Sequence, residues 1–188
     1  MTNEQSPLRS ATMAWIRQVV VKQNVCPFAK AVLENVRLRV HFDDHLEGLI
    51  TLLADEVTHL MTHGPDDVPT TIVVTQLATD DFEQYLDIIA MTEDLVEGLG
   101  YADDVQVASF HPAYVFTDTD IDDPANWTNR SPYPMVHLLR TADVAHAIDT
   151  HPDVDGIPER NVALFRELGV DHVASALANC YSPSSTEQ

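Results

Sequence analysis

Residues that can bind or transform a ligand are concentrated between Phe110 and Arg140. The stretch lies between two apolar runs, and its polar middle shows neither helical nor strand periodicity. Loops longer than about 12–15 residues are uncommon inside compact domains and are usually functional or disordered. Prolines stiffen this one, which favours an ordered site loop. Its candidate residues are His111, Tyr114, Trp127, Asn129, Arg130, Ser131, Tyr133, His137 and Arg140.

The first hypothesis is an enzyme, a hydrolase or a transferase, that acts on a small molecule carrying phosphate or carboxylate. His111 would be the general acid or base, because histidine titrates near neutral pH. Cys26 would be the nucleophile and Tyr133 an auxiliary donor. Arginine forks match the geometry of both anions. The anion would be held by Arg37, Arg39, Asn129, Arg130, Ser131 and Arg140.

Cys26 directly precedes Pro27, which we expect to open a short helix over 27–34. A thiol at a helix N-cap lies at the positive end of the helix dipole, which lowers its pKa. The alternative is a buried structural thiol, because free cysteine is among the most buried residue types. Ala29 stands where a CxxC motif would need its second cysteine, so thiol–disulfide exchange through that motif is excluded.

Arg37 and Arg39 lie on one side of a predicted strand over 36–42, together with His41. Apolar residues occupy the alternate positions, as expected for a strand with one buried face. Charges on a strand are typical of an exposed sheet edge, where they discourage pairing. They are equally suited to form an electropositive floor for an anionic ligand. Both interpretations stay open at this point.

The second hypothesis is a metal site. His111, His137 and Cys26, with Asp118 or Asp120, are ligand types that suit zinc. No compact ligand spacing such as CxxC or HxH supports this hypothesis. The third hypothesis is a non-catalytic binding module, in which the long loop is a recognition surface.

The charge balance restricts the partners. The 188-residue chain has 30 acidic and 10 basic residues, which gives a formal net charge of −20. Nucleic-acid binding needs a basic footprint, so we expect no nucleic-acid partner and no acidic membrane surface. No apolar run approaches the ~20 residues of a membrane span, and the N-terminus lacks a secretory pattern. We therefore expect a cytoplasmic protein that binds a small anionic molecule; its oligomeric state stays open.

Alternating strands and helices must position these residues. We expect helices over 7–23, 27–34, 43–63, 81–98, 143–148, 158–168 and 170–179, and strands over 36–42, 69–77, 104–110 and 135–140. This order favours right-handed crossovers and a largely parallel sheet. We predict a single α/β domain over 1–181, with a mixed four-stranded sheet flanked by helices, an N-terminal helical arm and a disordered tail at 182–188. A thioredoxin-like fold and a small doubly wound sheet are the alternatives.

Three segments, NVCPFAKAV, SFHPAYVF and NRSPYPMVHLLR, occur in this order and spacing. Together they resemble the uncharacterised bacterial family catalogued as domain of unknown function 1415. The resemblance covers nearly the whole chain and implies no mechanism, because the family has no established activity. The functional hypotheses therefore depend on whether the few cations meet in space. We expect Arg37, Arg39 and Arg130 to converge beside His111 and Cys26 in a preformed hollow.

Overall fold

A four-stranded mixed sheet forms the centre of the molecule in the computed structural model, which describes residues 6–181. Its strands are β1 (Arg37–Val40), β2 (Thr70–Val74), β3 (Val105–Phe110) and β4 (Met135–Arg140). The strands lie in the order β1-β2-β4-β3. β1 and β2 pair in parallel, whereas β4 pairs antiparallel with both β2 and β3. The predicted α/β fold with a mixed four-stranded sheet is confirmed.

The position of β4 differs from the expectation of a largely parallel sheet. β1, β2 and β3 run in the same direction, as the strand–helix alternation predicts, but β2 and β3 are not neighbours. β4 lies between them and runs the opposite way, so only one of the three strand pairings is parallel. A doubly wound sheet, which is mostly parallel, is therefore not formed.

Three helical segments cover the first face of the sheet. α1 (Pro7–Trp15) begins at Ser6, whose Oγ accepts a hydrogen bond from the Leu8 N–H at 3.2 Å, and continues as a π-helix over Ile16–Val21. It packs with α7 (Val170–Cys180), which in turn packs with α6 (Gly156–Leu168). Their apolar residues share one core with strand residues such as Leu38, Ile72 and Met135. The predicted helix over 7–23 is thus an α-helix that changes to a π-helix.

Two long helices cover the second face. α3 (Leu46–Thr62) and α4 (Phe82–Gly98) bury an apolar stripe against alternate strand residues such as Val73, Val136 and Leu138. Asp81 caps α4, because its Oδ1 accepts a hydrogen bond from the Gln84 N–H at 2.9 Å. The N-cap of α3 is His45, not one of the two aspartates that precede it. Asp43 instead accepts a hydrogen bond from the His45 N–H, at 2.9 Å.

The remaining elements are short. α2 (Ala29–Val32) is a single turn, α5 (Thr141–Thr150) follows β4 directly, and the loop between β3 and β4 contains one 3₁₀ turn, Pro124–Thr128. None of the helices within residues 6–181 is both long and apolar enough to cross a bilayer. The predicted tail at 182–188 lies outside the described residues, so the domain limits stay a prediction.

Candidate anion-binding site

His111 is fully buried at the end of β3, and both of its ring nitrogens are already bonded to the backbone. Nε2 donates to the Ala78 carbonyl at 2.8 Å, and Nδ1 accepts from the Ala113 N–H at 3.0 Å. Burial lowers the pKa of His111, although its bond to Ala78 acts in the opposite direction. The ring is thus held neutral with its proton on Nε2, which leaves no nitrogen for a substrate in this arrangement.

Tyr85 on α4 packs against His111, with ring centroids 4.8 Å apart. Its hydroxyl accepts from the Phe110 N–H at 2.8 Å and donates to the Met135 carbonyl at 2.7 Å. Phe110 and Met135 face each other across β3 and β4. The tyrosine hydroxyl therefore bridges the last pair of residues in this antiparallel ladder and fixes the strand end that carries His111.

The loop after β3 satisfies its own backbone. Asn126 is fully buried, and its amide bonds to the Asp120 carbonyl at 2.8 Å, the Phe116 N–H at 3.0 Å and the Thr119 hydroxyl at 2.7 Å. Asn129 donates to the Ser109 carbonyl at 3.1 Å. Arg130 donates to the carbonyls of Tyr114 and Ile121. These side chains hold the loop together, and the predicted ligand contacts of Asn129 and Arg130 are occupied by backbone groups.

Three further predicted site residues also contact the backbone or pack internally. Ser131 is buried and donates to the Tyr133 carbonyl at 2.7 Å. The Tyr133 ring packs edge-on against Tyr181, with centroids 5.5 Å apart. Arg140 donates to the carbonyls of Leu60, His63 and Val68, where α3 ends and the chain leads into β2. A guanidinium at a helix C-terminus compensates the unpaired carbonyls there, so Arg140 acts as a cap for α3.

The predicted zinc ligands lie apart. His137 is on the first face of the sheet and donates from Nε2 to Thr70 Oγ1 at 2.6 Å, whereas His111 packs on α4 of the second face. Burial lowers the pKa of His137 to about 4. Within residues 6–181, no group of three His, Cys, Asp or Glu side chains is placed to hold a metal ion. The geometry therefore does not support the site of His111, His137 and Cys26.

Cys26 is partly buried in the turn that precedes α2. The N-cap of that helix is Phe28, not Cys26, and the helix has only four residues. The carbonyl of Cys26 accepts a hydrogen bond from the Ala29 N–H at 3.2 Å. The predicted activation of the thiol by a helix N-terminus is therefore wrong, because the helix begins later and is too short to present a sizeable dipole.

A small crevice lies beside the loop, between the π-helical segment, α6 and α7. Arg130 lies over the Trp127 ring, with its guanidinium carbon 4.7 Å from the ring centroid, and both residues line the crevice. The free space there is about 10 Å³. That volume holds about one water molecule. The crevice is therefore too small to bind a ligand.

Arg37 and Arg39 are held by Glu56 of α3, whose side chain is 2% exposed. Arg37 forms a two-point contact with the carboxylate, at 2.5 Å from Nε to Oε2 and 3.1 Å from Nη2 to Oε1. Arg39 Nη1 lies 3.0 Å from the same Oε1. The side chains of Arg37 and Arg39 are 28% and 38% exposed, so solvent reaches part of each. A buried carboxylate thus orients two accessible cations.

These two arginines line an open groove along the outer edge of β1, which we call the β1 groove. Its lining residues are Arg9, Val36, Arg37, Leu38, Arg39, Asp67 and Val68. Arg9 reaches it from α1 and donates to the Leu38 carbonyl at 2.9 Å. The free volume is about 430 Å³, within the roughly 300–1,000 Å³ of small-molecule sites. Three of the chain's ten basic residues therefore meet in one recess of ligand size.

The predicted convergence of all the cations on His111 and Cys26 is wrong. Arg37 and Arg39 lie on the α3 side of β1, because Leu38 and Val40 at the alternate positions belong to the first core. Arg130 lies over Trp127, which packs against that first core on the opposite face. The alternation of strand side chains thus correctly paired Arg37 with Arg39, but the loop arginine belongs to a different surface.

His41 continues the row of Arg37 and Arg39 at the carboxyl end of β1. It is 6% exposed; Nδ1 lies 3.2 Å from Thr75 Oγ1, and Nε2 lies 3.0 Å from Asp43 Oδ1. The His45 N–H is the main cause of the lowered pKa of Asp43. A Cβ on Gly48 would lie 3.2 Å from His41 Nε2. His41 is enclosed, whereas the Asp43 side chain is 54% exposed, and their contacts stabilise the turn into α3.

A family model described as "Protein of unknown function (DUF1415)" matches residues 8–175. The chain belongs to DUF1415. The comparisons with curated proteins and with solved structures returned no match. Neither the β1 groove nor the loop of this DUF1415 chain is therefore assigned a role by similarity.

Two structurally important residues of the DUF1415 chain were missed by the sequence reasoning. Glu56 lies between Leu53, Val57 and Leu60 on the apolar stripe of α3, at helical spacing. A single carboxylate at a core position requires a cationic partner, so this interruption of the stripe was a usable signal. Asn126 gave no such signal, because a polar residue in a polar loop is unremarkable until its partners are known.

Proposed function

We propose that the protein binds a small anionic molecule in the β1 groove, with Arg37 and Arg39 as the contacts. The observation that carries this proposal is the contact of the Glu56 carboxylate with both arginines. It holds two partly exposed side chains next to each other in a groove of about 430 Å³. Orienting the arginines in advance reduces the entropy that a ligand must overcome on binding. Charge-assisted hydrogen bonds to an anion are the strongest that such a site offers.

Binding is favoured over catalysis at this position. Among the described residues that line the groove, none carries a thiol, a hydroxyl or an imidazole. The proposed acid–base residue of the enzyme hypothesis, His111, is buried with both nitrogens bonded. The geometry thus supports the anionic ligand of that hypothesis and the binding module of the third hypothesis, with Arg37 and Arg39 rather than the loop as the contact surface.

The test compares anion binding by the wild-type chain, Arg39→Gln and the control Arg17→Gln. Arg39 is chosen because it makes one contact with Glu56 where Arg37 makes two, so its loss disturbs the fold less. Arg17 is exposed on the π-helical segment outside the groove, and its removal changes the net charge equally. Binding is measured by calorimetric titration with phosphate, sulfate, succinate and acetate. An ionic strength of about 0.15 M screens the long-range electrostatic effect of removing a charge.

We expect at least one anion to bind the wild-type chain and Arg17→Gln with similar affinity. Loss of one charge-assisted contact, worth about 1.5–3 kcal/mol, should weaken its binding to Arg39→Gln about 10- to 100-fold. Melting temperatures confirm that the variants are folded. If no anion binds, or if Arg39→Gln and Arg17→Gln bind equally well, the proposal is wrong.

A further inference from the structure

We infer that the β1 groove selects a compact tetrahedral dianion, the terminal phosphoryl group of a small phosphate monoester, over carboxylates. The inference rests on the proposed function, because it names the ligand class of the same groove. It follows from the spacing of the two guanidinium groups and from the charge that surrounds them.

The guanidinium groups of the two arginines lie close together, because both contact the same oxygen atom of Glu56. They are two positions apart on one strand, yet Arg37 Nη2 and Arg39 Nη1 both contact Glu56 Oε1, at 3.1 and 3.0 Å. Two nitrogens that share one oxygen as partner are at most about 6 Å apart, a gap that one phosphoryl group spans with charge-assisted bonds of about 2.7–2.9 Å on each side. An extended dicarboxylate would place only one of its two charges there.

Glu56 leaves donors available for such a ligand. Arg37 uses Nε and one proton of Nη2 on the carboxylate, and Arg39 uses Nη1. A guanidinium carries five N–H donors, so each arginine retains N–H groups that Glu56 does not use. A phosphoryl dianion has three terminal oxygens to receive them, whereas a carboxylate has two in one plane.

The charge of the rest of the molecule limits the size of the ligand. Arg37 and Arg39 together exceed Glu56 by one positive charge, while Asp67 lies on the exposed wall of the groove. The chain as a whole is strongly acidic, with a formal net charge of −20. An extended polyanion would meet this repulsion along its length, whereas a single phosphoryl group would contact only the two arginines.

The experiment measures the pH dependence of binding for phosphate, sulfate, succinate and acetate with the full chain. Inorganic phosphate gains its second charge near neutral pH, whereas sulfate is a tetrahedral dianion throughout. Sulfate therefore reports any titration of the protein itself. The groups that face the arginines are Glu56 and His59 on α3, Arg9 on α1 and Asp67 in the loop before β2.

We expect phosphate affinity to rise about tenfold between pH 5.5 and 7.5, while sulfate affinity stays within about twofold. At pH 7.5 phosphate should bind at least about tenfold more tightly than succinate or acetate, and Arg39→Gln should abolish that preference while Arg17→Gln retains it. Equal binding of phosphate and succinate, with the same dependence on Arg39, would overturn the selectivity but leave the proposed function standing. A phosphate affinity that does not rise with pH also overturns the inference. Failure of every anion to bind would overturn both.

Discussion

The substitution Tyr85→Phe removes one oxygen atom from the fully buried bridge between β3 and β4. The hydroxyl is the partner of the Phe110 N–H at 2.8 Å and of the Met135 carbonyl at 2.7 Å. Each buried backbone group left without a partner costs about 1–3 kcal/mol. In the variant the ends of β3 and β4 could move closer together, which would recover part of the lost hydrogen-bond energy. We therefore expect the free energy of unfolding to fall by about 2–4 kcal/mol.

The measurement is urea unfolding at neutral pH, followed by the fluorescence of Trp15 and Trp127, with the same slope required for both variants. The matched control is Tyr133→Phe, because the Tyr133 ring is partly buried and its hydroxyl makes no hydrogen bond among residues 6–181. For a chain of this size the midpoint of thermal unfolding should fall by about 5–15 °C in Tyr85→Phe.

The reasoning is refuted if Tyr85→Phe and Tyr133→Phe differ by less than about 0.5 kcal/mol, the usual size of surface effects. The hydroxyl bridge would then contribute nothing beyond the packing of the ring, which phenylalanine keeps. Burial raises the pKa of Tyr85, so its hydroxyl stays protonated and able to donate throughout the neutral range. The comparison is therefore not complicated by ionisation.

Two further predictions concern the loop and a histidine. Asn126→Ala should open the loop before β4, and limited proteolysis should cut there at least about tenfold faster than in Asn179→Ala, an exposed control. His137 has a folded-state pKa of about 4, below the unfolded value of about 6.5, so the unfolded chain binds the proton first and stability falls as pH drops from 6.5 to 4. His137→Gln should lose up to about 3 kcal/mol of that pH-dependent change, whereas exposed His146→Gln should retain it; equal pH profiles would contradict the assignment.

The strands were predictable because their side chains alternate or are continuously apolar. β4 has the predicted limits, 135–140, and the alternation on β1 placed Arg37 and Arg39 on one side. Pairing was not predictable, because strand order along the chain does not specify which strands become neighbours. The insertion of β4 between β2 and β3 depends on contacts across the whole domain.

The pairing of Arg37 with Arg39 was predictable from the sequence, whereas the structural role of the loop residues was not. A long loop contains many backbone donors and acceptors that a folded chain must satisfy. In this loop Asn126, Asn129 and Arg130 provide those partners, so residue types that suit a ligand are used to hold the chain. Residue type alone does not distinguish the two uses. The arginines of β1 differ, because the β1 backbone pairs with that of β2 and needs no side-chain partners. Arg37 and Arg39 therefore contact a side chain, that of Glu56, instead of backbone groups.

The central place of β4 has a consequence for biosynthesis. In the described part of the chain, residues 6–181, β3 pairs only with β4, and β2 pairs with β1 on its other side. Until the ribosome has released the chain beyond Arg140, β1 can pair with β2, but β3 lacks its partner strand β4. Truncation before Met135 therefore removes a central strand of the sheet rather than an edge strand. We expect chaperones to bind the nascent chain until that segment emerges.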